Sequence, residues 1–137
     1  MRSSELETYR SVQKASMTAR SLEAYVLTQA AHKLKECQDN WDAGNIEKLD
    51  EALRFNQLIW SIFQGELVRA DNPLPSKLRQ DLLNLSLFTD KRTFEIIAYP
   101  TPEKLTAIIN INLNIAAGLR ESQLGEELKK EVEVSSW

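Results

Sequence analysis

The 137 residues include only one cysteine, one histidine, four glycines and four prolines. With Cys37 alone, no intrachain disulfide and no cysteine-rich metal cluster can form, and a reducing compartment is the natural expectation. So little Gly and Pro leaves few punctuation points for short strands and favours long helices. No apolar run is long enough to span a bilayer, and residues 1–20 lack the apolar core of a signal peptide, so the sequence predicts a cytoplasmic protein with no membrane partner. A block of charge of one sign is also missing. The net charge is −3, with acidic and basic residues interspersed, and the nearest thing to a basic block is Lys91 with Arg92. Phosphate affinity comes from clustered cations that release counterions, so direct nucleic-acid binding is not expected.

Catalytic signatures are absent in the same way. There is no Gly-rich phosphate loop, no G-x-S-x-G elbow and no carboxylate pair on an apolar helix face. His32 falls on the polar side of its segment with no ligand-spaced neighbour, which reads as a surface histidine. Cys37 falls among apolar residues, where a thiol packs as a small hydrophobe. The expectation is a protein without metal, cofactor or enzymatic activity.

What is present is helical periodicity. The spacing predicts an all-α fold, a small bundle of four to five helices at about 4–16, 19–42, 46–70, 76–98 and 102–118. In the 19–42 segment Leu22, Val26, Ala30, Leu34, Cys37 and Trp41 make one stripe, with Ser21 as the expected N-cap. The 46–70 segment carries Leu49, Ala52, Leu53, Asn56, Trp60, Phe63 and Leu67. Pro73 and Pro75 end it, and Ser76 is the expected cap of the next, whose stripe is Leu78, Leu82, Leu85, Thr89 and Ile96. Pro102 suits a first helical position, and the following stripe is Leu105, Ile108, Ile109, Asn112, Ile115, Ala116 and Leu119, with Gly118 as a possible left-handed stop. Residues 1–119 are read as one domain and 120–137 as a tail, either a frayed amphipathic helix or disordered, with Leu124, Leu128 and Val132 at four-residue steps.

Two features exceed what a simple core needs. Asn56 and Asn112 interrupt the apolar stripes of their helices, and a buried amide must find a partner, so the two are expected to hydrogen-bond to each other or through a shared water. Asn110 and Asn114 point away from that stripe and are read as solvent-facing. Phe55, Leu58 and Ile62 on one helix, and Leu83, Leu87 and Phe94 on the next, form additional apolar faces. Such a helix is either central in its bundle or offers a patch to a partner.

Four segments in order carry a family resemblance: LDEALRFNQLIWSIFQGEL at 49–67, NPLPSKLRQDLLNLSLF at 72–88, DKRTFEIIAYPTPEKL at 90–105 and ININLNIAAGL at 109–119. Together they resemble the FlaF family of alphaproteobacterial flagellar biosynthesis regulators, and residues 18–42 resemble that family's opening helix more loosely. The resemblance implies a cytoplasmic protein that promotes flagellin production and export, opposes the repressor FlbT and binds flagellin as a secretion chaperone. It does not say which residues touch flagellin. The physical reading offers Phe55, Leu58, Ile62, Leu83, Leu87 and Phe94 as a flagellin-binding groove, because an amphipathic helix laid in such a groove buries its own apolar face. Two other readings stay open: a post-transcriptional regulator of flagellin mRNA acting with or against FlbT, and a non-catalytic scaffold that self-associates or binds FlbT.

Overall fold

A computed structural model describes the backbone of residues 19–42 and 44–135, with side chains over 21–42 and 44–121. It is built of α1 (Ala19–Asp39), α2 (Ile46–Leu67), α3 (Ser76–Ala98), a short 3-10 turn (Pro102–Leu105) and α4 (Thr106–Ser135), with no strand among the described residues. The all-α reading therefore holds. The helix expected at 4–16 lies outside the described residues.

Several boundaries differ from the sequence expectation, each for a local reason. Asn40 leaves the helix as a turn, so α1 stops at Asp39, and Asp42 then closes the connection by accepting the Gly44 N–H at 2.9 Å. Ser21 lies within α1 and is not its cap. The second helix stops at Leu67 and not near 70, because Asn72 folds back: its Nδ2 donates to the Glu66 carbonyl at 2.9 Å and its Oδ1 accepts the Leu74 N–H at 3.0 Å. Pro75, not Ser76, holds the N-cap position of α3. Pro102 does open a helical segment, but of 3-10 type, before α4 begins at Thr106. No stop occurs at Gly118. A glycine ends a helix by adopting positive φ, no described glycine does so, and α4 continues to Ser135.

The helices alternate in direction. One core cluster joins Ala31 and Leu34 of α1, Leu49, Ala52 and Leu53 of α2, Ile96 of α3, and Leu105, Ile108 and Ile109 from the 3-10 turn and α4. The other joins the opposite ends: Ala24, Leu27 and Ala30 with Ile59, Trp60 and Ala116, and with half-buried Leu85. Short connections and this layer order define an up-down-up-down bundle. Its tightest pairing is α1 with α4, where Ala24, Ala30, Ala31 and Ala116 are all fully buried and let the backbones close in. Gln38 Nε2 pins one end of that pair by donating to Pro102 O at 2.9 Å and to Thr106 Oγ1 at 2.8 Å. At the other end Arg120 donates to Thr28 Oγ1 at 3.0 Å.

Two expected stripes need correction. The face that α1 buries is Ala24, Leu27, Ala30, Ala31 and Leu34, so Leu22, 63% exposed, is not core. On α3 Leu78 is exposed, and the buried face is Ser86, Thr89, Thr93 and Ile96. The stripes of α2 and α4 are buried or half-buried throughout.

Between the two clusters, α2 and α4 face each other across a diagonal of the bundle. Among the described residues no Cα of one comes within 8 Å of the other, so side chains must bridge the gap. They do so through a polar chain: Trp60 Nε1 donates to Asn112 Oδ1 at 2.9 Å, and Asn112 Nδ2 donates to Asn56 Oδ1 at 2.6 Å. All three residues are buried. Asn110 and Asn114 are exposed.

Asn112 serves two partners in this chain and Asn56 only one, its Nδ2 being buried with no hydrogen-bond partner among the described residues. Replacing Asn112 by Leu strands both Trp60 Nε1 and Asn56 Oδ1, and is expected to lower urea-unfolding stability by about 2–4 kcal/mol. Asn56→Leu is expected to cost less, and the reverse order would contradict this account of the network. Gly65 and Gly118 are mid-helical, without positive φ, and a Cβ at either meets nothing within 4 Å. Ala at each should raise the midpoint of thermal unfolding, corresponding to about 0.5–1 kcal/mol.

Candidate partner-binding surfaces

Four of the six expected groove residues lie open to solvent: Leu58 is 60% exposed, Ile62 58%, Leu87 58% and Phe94 64%. Phe55 and Leu83 are half-buried. The Phe55 ring packs on the second core cluster, and Lys33 Nζ of α1 stands over it at 5.2 Å from the centroid. That contact places Phe55 at the α1–α2 junction and fixes which way the rest of the face points. Leu58 and Ile62 lie on the α1 side of α2, because residues three, four and seven apart share a helix face. Leu83, Leu87 and Phe94 share a face of α3, which packs on the other flank of α2. The six residues therefore form two strips and not one groove.

The first strip continues onto α1 through residues that sequence reasoning assigned to the core. With Lys33 level with Phe55 and the helices antiparallel, half-buried Val26 comes level with Ile62, and exposed Leu22 follows one turn on. The 24, 27, 31, 34 spacing of Ala and Leu was the signal that could have released Leu22 to the surface. The α3 strip likewise gains Ile97, exposed one turn beyond Phe94.

The basic pair on α3 is divided. Arg92 ion-pairs with Glu95 at 3.2 Å and its guanidinium stands 5.4 Å from the centre of the Phe88 ring, while Lys91 is exposed. The described residues include no group of three or more His, Cys, Asp or Glu that could hold a metal ion, and His32 is exposed.

An open cleft of about 620 Å³ lies at the end of the bundle where α1 meets α2. Buried Leu49 and Ala52 and half-buried Cys37 and Trp41 line it, with Lys33 and Glu51 among its charged residues. Burial pushes the Cys37 thiol above its ordinary pKa, Glu36 adds to that, and Lys48 acts in the opposite direction. A raised pKa means less thiolate at neutral pH than in a free cysteine, which disfavours nucleophilic chemistry. Iodoacetamide should accordingly label Cys37 more slowly than a small-molecule thiol at pH 7.5, with the rate rising as pH passes above the usual thiol range. Faster labelling than the free thiol would contradict this assignment.

No curated protein and no solved structure matches the chain. Among the described residues no helix is long and apolar enough to cross a membrane. The family model for the flagellar protein FlaF matches residues 5–119, which takes in all four quoted segments, the whole of α1, α2 and α3, and α4 as far as Leu119. The chain belongs to the FlaF family, and its role is flagellar.

Proposed function

We propose that this protein binds flagellin in the cytoplasm as a secretion chaperone and promotes its production and export, without catalysis. The observation that carries the reading is the pair of apolar strips on a FlaF-family bundle: Leu58 and Ile62 with Leu22 on the α1–α2 surface, and Leu87 and Phe94 on α3. Large apolar side chains grouped on one helix face lose free energy when they leave water, and a partner's amphipathic helix supplies the matching surface. Flagellin's terminal segments are helices of that kind, unable to bury their apolar faces until they assemble. A specific complex of this type buries on the order of 1,200–2,000 Å² in total, more than one short strip provides, so both strips or one strip with its polar surround take part.

The test is co-purification with flagellin. Leu58→Asp and Leu87→Asp, made singly and together, place a charge at the centre of each strip while leaving the buried stripes untouched. The double variant is expected to lose flagellin while its helical circular dichroism stays within a few per cent of the parent. The single variants assign the contribution of each strip. Retention of flagellin by a folded double variant would remove these surfaces from consideration, and loss of helicity would show that the residues support the fold.

A further inference from the structure

We infer that α3 separates from the bundle as a unit at a lower free energy than global unfolding, while α1, α2 and α4 stay packed. The apolar allocation of the four helices is unequal. Among the described residues, five of α1 are fully buried and all are Ala or Leu, α2 buries Leu49, Leu53, Ile59, Trp60 and Leu67, and α4 with its 3-10 lead buries Leu105, Ile108, Ile109 and Ala116. The buried residues of α3 are Ser86, Thr89, Thr93 and Ile96, so a single isoleucine is its only fully buried large side chain. Of its other large apolar residues Leu82, Leu83 and Leu85 are half-buried, Leu85 against the second cluster, and Leu78, Leu87, Phe88, Phe94 and Ile97 are exposed.

Hydroxyls occupy the buried face and contribute little across the interface. Thr89 Oγ1 and Thr93 Oγ1 donate to carbonyls of their own helix, Leu85 O at 2.9 Å and Thr89 O at 2.8 Å. Ser86 Oγ is buried with no hydrogen-bond partner among the described residues, a desolvation penalty that opening relieves. Along its flanks α3 lies close to α2 but barely approaches α4, whereas α1 packs along both α2 and α4. Pro73 and Pro75 on one side, and Pro100 and Pro102 on the other, break helical continuity at both ends, so α3 can leave without unravelling its neighbours. Regions with few buried apolar contacts are the ones that open below the global free energy. Opening of α3 would uncover the second core cluster where Leu85 packs against it. The inference concerns the free protein and does not depend on what the partner is.

Native-state hydrogen exchange of the full chain, followed across low urea concentrations, tests it. The central α3 amides are expected to be at least about 100-fold less protected than the slowest amides of α1 and α4, with a shallower urea dependence, since less surface is exposed in a local opening. The double substitution Ser86→Ala, Thr93→Val replaces hydroxyls on the buried face by apolar groups. It stabilises the closed bundle against both the α3-open and the unfolded state. Protection of the α3 amides should therefore rise by about tenfold, and that of the slowest α1 and α4 amides by a similar factor, preserving the gap between them. A single opening free energy and urea slope shared by all four helices overturns the inference, and so does a gain in α1 and α4 of the variant that the α3 amides do not share.

Discussion

The register of this bundle depends on a hydrogen-bond chain that crosses its interior. Apolar side chains drive α2 and α4 together but tolerate sliding, because hydrophobic contact is non-directional. An amide buried among them does not. Asn112 must accept from Trp60 and donate to Asn56 at the same time, and a shift of either helix by one turn would strand several buried polar atoms. Because α2 and α4 stand on a diagonal, this one constraint orients helices whose backbones never meet, and α1, packed between them on one side, is fixed with respect to both.

The distribution of apolar residues follows from that arrangement. Alanine on α1 and α4 allows close approach and a dense seam, while bulk from Trp60, Ile108 and Ile109 fills the wider interior. On α3 the balance shifts: three of its four buried residues, Ser86, Thr89 and Thr93, are hydroxyl-bearing, Ile96 is the fourth, and Leu87, Phe94 and Ile97 lie outside. The same shift accounts for two properties that look unrelated, a weakly anchored helix and an apolar strip on its outer face. On α2 the apolar excess takes another form: the helix is well buried on one face and still carries Leu58 and Ile62 on another, which is the arrangement expected of a helix that packs in its own bundle and also offers contact outward.

Much of this was legible in the sequence. The stripe of α2 was legible because apolar residues recur at three- and four-residue steps among charged ones, and that of α4 because Leu105, Ile108, Ile109, Asn112 and Ala116 keep the same steps after Pro102 although Ile-Asn alternation overlies them. Asn56 and Asn112 could be paired because a buried amide admits few solutions. The face of α1 was misjudged at Leu22, since alanine carries a weak hydropathy signal and two overlapping stripes fit the same segment. On α3 Ser86 and Thr93 escaped notice because hydropathy marks hydroxyls as solvent-facing, although a bond to the helix's own carbonyl lets a threonine be buried. The Gly118 stop failed for a different reason. Glycine permits the left-handed conformation without requiring it, and nothing in the local sequence distinguishes the two cases. The six surface residues were identified as apolar excess, but their division into two strips depends on which flank of α2 each neighbour occupies, a property of bundle topology that periodicity does not encode.

The length of α4 has a consequence of its own. At 30 residues it extends on the order of 45 Å, well past the turn where Leu119 packs against the second cluster. Starting a helix in water is the unfavourable step, since several dihedrals are frozen before the first hydrogen bond is gained, whereas adding a residue to an existing helix is close to neutral. The stretch from Arg120 to Ser135 needs no nucleus of its own, because residues 106–119 supply one that tertiary packing already holds in place. Its conformation is inherited from the body of the protein.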